Sequence, residues 1–387
     1  LYEKSFNATQ TEYTCDADMR KTAIAVTLIL ALLFSGASMP LLVNSTTAEA
    51  TAPTILWNYT AGDQVFSPAV MNGVVYACSG LNIYALDSGN GAQLWKYNAH
   101  YDVWAAPTVA NNAVYVGGWN YILALNAKTG TQLWDDLQRG KHYSSPVAAN
   151  GTVYVAAQEG GISALNAKTG AVIWNYSPRG TFSSPTVVSG SVYFGTAEGV
   201  YALNADNGDK LWNYRSAKFE ASPIVTNGVV YIGSVAGNFY AFNAMNGNEL
   251  WNYTTSAPIY SAADIANGIV YVTPTDGSLY ALNATNGNEI WHYSIPTTFI
   301  QISPIVVNNV VYSGTGKGAV YAFDATNGSK LWSYAISSTT LSSPAIADGV
   351  LYVGSADGNV YALRVSPATS PSVKPSTTLP LIIGVIA

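Results

Sequence analysis

Ser144–Trp174 reads SSPVAANGTVYVAAQEGGISALNAKTGAVIW. A Ser-Pro pair opens the stretch, Asn150-Gly151 divides two short apolar runs, and Val153-Tyr154 marks the second. Asn and Gly accept the positive φ angles of a two-residue hairpin turn, so the two runs form an antiparallel hairpin, strands A and B. A third apolar segment, strand C, leads into a turn of the kind seen at Asn283-Ala284-Thr285-Asn286-Gly287, and a fourth, strand D, ends in Ile-Trp or Leu-Trp. Four short strands joined by tight turns make one antiparallel unit.

The same pattern recurs along the chain. Prolines fall at Pro68, Pro107, Pro146, Pro185, Pro223, Pro304 and Pro344, with Ala263 standing in for proline in the sixth copy. Tyrosines of strand B follow at Tyr76, Tyr115, Tyr154, Tyr193, Tyr231, Tyr271, Tyr312 and Tyr352. Tryptophans stand at Trp57, Trp95, Trp134, Trp174, Trp212, Trp251, Trp291 and Trp332, spaced 38 to 41 residues apart. Self-similarity at about this period denotes stacked or radial units. Eight tryptophans and eight Val-Tyr or Leu-Tyr pairs predict an all-β, eight-bladed β-propeller of four-stranded antiparallel blades. Their phase predicts how the ring closes. Trp57 precedes the first Ser-Pro, whereas the last copy stops at Tyr361-Ala362-Leu363 and never reaches its own tryptophan. The N-terminal strand around Leu56–Tyr59 therefore completes the last blade, which removes the free edges of an open ring.

Seven of the copies contain Ala-x-Asp/Asn-x-x-x-Gly-x-x-x-Trp, as Ala85, Asp87, Gly91 and Trp95, as Ala124, Asn126, Gly130 and Trp134, and in five more through Ala322, Asp324, Gly328 and Trp332. This resembles the pyrroloquinoline-quinone (PQQ)-like repeat propellers, of quinoprotein-alcohol-dehydrogenase-like fold, over nearly all of residues 53–364. The resemblance implies that the eight tryptophans dock blade against blade. Truncating such a buried indole to alanine costs about 3–5 kcal/mol.

Composition agrees with many short strands: charged residues make up 10% of the chain, beside 34 Gly, 27 Tyr and 10 Trp. A net charge of -6 without a basic run excludes a nucleic-acid partner, which requires a positive surface against phosphates. The two cysteines, Cys15 and Cys78, provide no disulfide framework, because Cys15 precedes the expected mature chain. Residues 1–18 read as an upstream segment. Met19, Arg20 and Lys21, the apolar run Ala23–Phe34 and the small residues after it have the layout of a secretory signal, so 19–50 is expected to be signal peptide and short linker. The propeller then spans 51–365. Residues 366–378 form a Ser/Thr/Pro linker, and the apolar LPLIIGVIA of 379–387 reads as the start of a membrane anchor.

The resemblance raises a quinone-dependent dehydrogenase, which implies a catalytic aspartate, a calcium site and a vicinal cysteine pair. No Cys-Cys occurs, and His100, His142 and His292 lie in different blades without metal-ligand spacing. Glu159, Glu198, Asp276 and Asp357 each precede a glycine between strands B and C, where turn chemistry accounts for them. No catalytic, cofactor or metal residue is assigned; PQQ with calcium stays as the alternative.

One asymmetry remains. Three successive loops from strand D of one blade to strand A of the next carry Arg139, Lys141, His142, Arg179, Arg215 and Lys218. Three residues before the proline position, the same set of loops places Trp104, Tyr143, Phe182, Glu220, Gln301 and, in the sixth copy, Tyr260. Aromatic and cationic groups on one face make a candidate site for an acidic peptide or a glycan. Asn58, Asn150, Asn175, Asn252, Asn283 and Asn327 each begin an Asn-x-Ser/Thr triplet and would be glycan acceptors in an exported protein. The reading is thus an exported or cell-surface, monomeric, non-enzymatic propeller that binds a protein or glycan, comparable in architecture to the propeller lipoprotein of bacterial outer-membrane assembly. Its rivals are a PQQ-dependent oxidoreductase and a carbohydrate-binding or carbohydrate-cleaving propeller.

Overall fold

A computed structural model describes residues 52–119, 121–136, 144–157, 161–178, 180, 183–295, 301–336 and 341–365. The expected signal, linker and anchor segments lie outside them. Among the described residues, no helix is long and apolar enough to cross a membrane.

Among the described residues, thirty-two strands form eight four-stranded antiparallel sheets, each with the order A-B-C-D. In the first blade these are Ala69–Met71, Val74–Ser79, Asn82–Asp87 and Gln93–Asn98. The last sheet takes its strands A to C from Ala345–Ala347, Val350–Gly354 and Asn359–Arg364, and its outer strand from Thr54–Thr60. Trp57 pairs with Ala362 and Asn58 with Tyr361, so the N-terminal strand closes the ring as the repeat phase predicts. This is an eight-bladed β-propeller.

Five of the A–B turns are Asn-Gly or Asp-Gly, with both residues at positive φ, such as Asn150 at 51° and Gly151 at 79°. Asn111-Asn112, Ser189-Gly190 and Asn308-Asn309 adopt the same turn without that sequence signature. Asn and Asp tolerate this left-handed region because their short side chains bond locally.

The tryptophans pack as the resemblance implies, and the structure shows how. Trp95 Nε1 donates to the carbonyl of Ala127 in the next blade at 2.9 Å, and Tyr76 of the same blade donates its hydroxyl to that oxygen at 3.2 Å. The two rings lie 5.9 Å apart. Trp57, Trp134, Trp174, Trp212, Trp251 and Trp291 repeat the bond onto Ser88, Ala167, Ala205, Ala244, Ala284 and Ala325. The receiving turn is held by its Asp or Asn: Asn126 Oδ1 accepts the amides of Lys128 and Thr129. The signature glycine then lies against the incoming indole. A Cβ on Gly130 (φ 69°) would stand 2.7 Å from Trp95 Cδ2, so the motif records a contact between neighbouring blades as well as a turn.

Serines near the repeat proline bond both within and between blades. Ser144 and Ser342 bond strand B of their own blade, whereas Ser184, Ser222, Ser303 and Ser343 accept the amides of Ser145, Ser184, Ala262 and Ser303 in the preceding one. On the outer rim, the tyrosine two residues after the tryptophan reaches the next blade: Tyr59 to Gln93, Tyr97 to Gln132, Tyr214 to Glu249 and Tyr253 to Glu289.

Candidate functional site

Strand direction gives the ring two faces. A–B and C–D turns emerge on one, called here the turn face; B–C turns and D–A loops emerge on the other, the loop face. The loop-face connections are stitched together locally, as where Ala61 donates its amide to Gly358 and Thr255 to Gly237. Strand C of the last blade ends at Arg364 and the outer strand begins at Thr54, and these two residues are paired. Both chain ends therefore leave the ring on the turn face.

Of the residues singled out from the sequence, Trp104, Arg215, Lys218, Glu220, Tyr260 and Gln301 are described and stand on the loop face; Arg139, Lys141, His142, Tyr143, Arg179 and Phe182 lie outside the described residues. Trp104 is half-buried and meets Trp119 edge-on, with ring centroids 5.3 Å apart. Beside this pair, Tyr101 is 48% exposed and packs on Tyr121 at 5.8 Å. His100 is exposed next to them. Position relative to proline selected Trp104 but missed Trp119 and Tyr101, since these come from a B–C turn and from the start of a D–A loop. Burial raises the Tyr121 phenol well above its ordinary value, with the neighbouring Cys78, Tyr97 and Asp102 adding to the shift, so Tyr121 stays neutral.

The expected cationic arc is partly compensated. Arg215 Nη2 lies 3.4 Å from Glu198 Oε2 and 3.3 Å from the Tyr201 hydroxyl, while Lys218 pairs with Glu220. Glu198, Arg215 and Lys218 line an open groove of about 450 Å³ with Ala197, Ser216 and Ala217. These pairs are exposed enough to contribute little stability, and both signs remain available to a partner. Among the described residues, each of these two cations thus stands beside a carboxylate.

The other acidic residues before glycine serve the backbone. Asp276 accepts the Ser278 amide, and Asp357 accepts from Asn359 and from the Tyr361 hydroxyl. Burial alone would raise the Asp357 carboxyl, but the bonds from Tyr361, Asn359 and Ser355 outweigh it and hold the group below its usual value. Glu159 is outside the described residues. His292 lies on the outer rim, 2.7 Å from Glu289 and stacked on Tyr280. Cys78 is fully buried in strand B, and burial drives its thiol far up. Among the described residues, no three His, Cys, Asp or Glu side chains converge to hold a metal ion. Of the six Asn-x-Ser/Thr asparagines, Asn58, Asn175 and Asn252 are exposed on outer strands, and Asn150 and Asn327 are exposed in turns. Asn283 is half-buried and holds its own turn through the amides of Thr285 and Asn286.

Comparison with known proteins follows the same lines. The family model described as outer membrane protein assembly factor BamB, a PQQ-type repeat model, matches residues 46–199, 121–224, 196–303 and 297–369. No curated protein matches the chain. Among solved structures, BamB from Moraxella catarrhalis is similar at TM-score 0.71 and 19% identity, covering 81% of this chain and 100% of that one. The computationally designed protein Ika8 is similar at TM-score 0.70 and 18% identity, covering 80% and 98%. The quinohemoprotein alcohol dehydrogenase ADHIIG from Pseudomonas putida HK5 gives 0.68 and 17%, covering 86% and 79%. At such identities these likenesses speak to fold, which all three share.

Proposed function

The chain belongs to the family of the outer membrane protein assembly factor BamB, and from that premise we propose that it is a non-enzymatic scaffold of the cell envelope that binds a polypeptide on its loop face. The observation that carries this reading is the division between the faces. The turn face is built from short, self-satisfied turns and emits both chain ends. The loop face carries Tyr101, Trp104 and Trp119 at one junction and, at others, Tyr260 and the pairs Arg215–Glu198 and Lys218–Glu220. A tether at either end would leave that face open to a partner. Aromatic and Arg side chains are the groups that most often dominate protein interfaces.

The second reading, a quinone-dependent oxidoreductase, is favoured by the fold it shares with the quinohemoprotein dehydrogenase. The two separate by ligand. A group that binds only the native state raises its unfolding temperature by mass action. The full chain titrated with pyrroloquinoline quinone and calcium is expected to unfold at an unchanged temperature; a saturable rise would establish the oxidoreductase instead.

A further inference from the structure

Strand D is the end strand of each sheet, so among the described residues one edge of its backbone has no partner strand. Beside its buried tryptophan stands an exposed aliphatic side chain: Leu94 is 52% exposed, Leu133 49%, Ile173 50% and Leu250 50%. An edge that also exposes aliphatic groups is a template for pairing with another chain, and natural sheets blunt such edges with charge. Half of the blades do so here. One and three residues after the tryptophan, the first, second, fourth and sixth blades place an ionisable group at one position or the other: Lys96, Asp135, Arg215 and His292.

The other four blades have no ionisable group at these two positions, and three of them lay an Asn-x-Ser/Thr triplet across the pair: Asn58-Tyr59-Thr60, Asn175-Tyr176-Ser177 and Asn252-Tyr253-Thr254. The two devices use the same positions, so a blade has one or the other; only the seventh, with Ser333 and Ala335, has neither. The acids two residues before the tryptophan, Glu249 and Glu289, are engaged by Tyr214 and Tyr253 of the blades before them. The strand geometry suits attachment at the triplets. Asn58, Asn175 and Asn252 are exposed, and so are Thr60, Ser177 and Thr254. Asn252 Nδ2 donates to Glu249 at 2.6 Å, a bond for which an N-linked amide still has one N–H. Asn283 differs, since it is half-buried and its side chain holds the amides of Thr285 and Asn286.

We propose that Asn58, Asn175 and Asn252 carry N-linked glycans, and that these glycans cover the aliphatic outer edges that charge leaves uncovered. The proposal rests on the cell-envelope reading above, because the transfer takes place outside the cytoplasm. Its donor is an oligosaccharide joined to a lipid through diphosphate. The asparagine Nδ2 forms a bond to C1 of the first sugar, the C1–O bond to phosphate breaks, the lipid diphosphate leaves, and the amide gives up one proton. A glycan is bulky and hydrophilic, so on an edge strand it blocks the approach of a second strand, as Lys96 does in the first blade. The three sites stand on the outer rim and leave the loop face open to a partner.

The full chain is produced in cells that N-glycosylate exported proteins, behind an added export signal so that delivery does not depend on residues 19–50. Peptide mass spectrometry is expected to find sugar on Asn58, Asn175 and Asn252 and none on Asn283. Bare asparagine at all three rim positions overturns the attachment. Retention in the cytoplasm of the chain without the added signal is a separate result, which overturns the envelope reading. Sedimentation velocity tests the shielding. The glycosylated chain is expected to be monomeric. The unmutated chain from cells without the transferase, and the triple variant Asn58→Gln, Asn175→Gln and Asn252→Gln, are expected to associate and at least double the sedimenting mass. The triple variant Asn58→Lys, Asn175→Lys and Asn252→Lys is expected to stay monomeric without sugar, because it gives these blades the device of the first. A monomeric glutamine variant, or a lysine variant that associates as the glutamine variant does, overturns the shielding role.

Discussion

The contact between a glycine and the preceding blade's indole predicts a difference between two chemically identical substitutions. Gly208 and Gly228 both adopt a φ of 74°. A Cβ on Gly208 would lie 2.7 Å from Trp174 Cδ2 and Cε3, whereas one on Gly228 would meet nothing within 4 Å. Alanine at either position bears the left-handed backbone cost of roughly 1–2 kcal/mol. Only Gly208→Ala must also push a buried indole from its bond to Ala205, an overpacking cost of about 1–3 kcal/mol. Gly208→Ala is therefore expected to lose about 2–5 kcal/mol and Gly228→Ala about 1–2, against a total stability of roughly 5–15. Urea unfolding of the full chain, followed by circular dichroism and tryptophan fluorescence, measures both. Equal losses would refute the docking argument, because they would show that the indole yields at no cost.

Other expectations follow from single groups. Cys78 is fully buried with a raised thiol pKa, so iodoacetamide should label it only as fast as the chain unfolds; rapid native labelling found by peptide mass spectrometry would contradict its placement in strand B. Desolvation raises the Asp264 carboxyl, despite bonds from the Val306 and Ile265 amides. The folded chain thus holds this proton more tightly than the unfolded chain. The resulting stabilisation is complete below the unfolded pKa and disappears as pH rises through the folded value. The stability of wild type relative to Asp264→Asn should then decline as pH rises above the ordinary carboxylate value of 3.8, and a constant difference would count against the shift. On the loop face, Lys218→Glu places two carboxylates together with Glu220 and should weaken partner binding while leaving the unfolding temperature within a few degrees, since exposed pairs contribute about 0–1 kcal/mol.

Repetition made the fold legible. Eight tryptophans in fixed phase with eight tyrosines gave the blade count, and the early Trp57 with the missing final tryptophan gave the closure later seen in the Trp57–Ala362 pairing. What the pattern left hidden depends on neighbours distant in sequence. The signature glycine reads as a turn residue until Trp95 is seen lying on Gly130. The turns at Asn111-Asn112 and Asn308-Asn309 carry no glycine, yet asparagine reaches the same φ. The candidate surface was legible only in part. Counting cations marked Arg215 and Lys218, but Glu198 and Glu220, which compensate them, come from a neighbouring turn and from the same loop. Trp119 and Tyr101 join Trp104 only in three dimensions.

The central claim, a polypeptide-binding loop face, is tested most directly by a benzophenone amino acid placed singly at Trp104, at Tyr260 and, as a control on the outer rim, at the half-exposed Leu250. The full chain is irradiated in cells that export it. A discrete polypeptide adduct at Trp104 and Tyr260, with none at Leu250, is the predicted result. No adduct at either loop-face position, or equal adducts at all three, would contradict it.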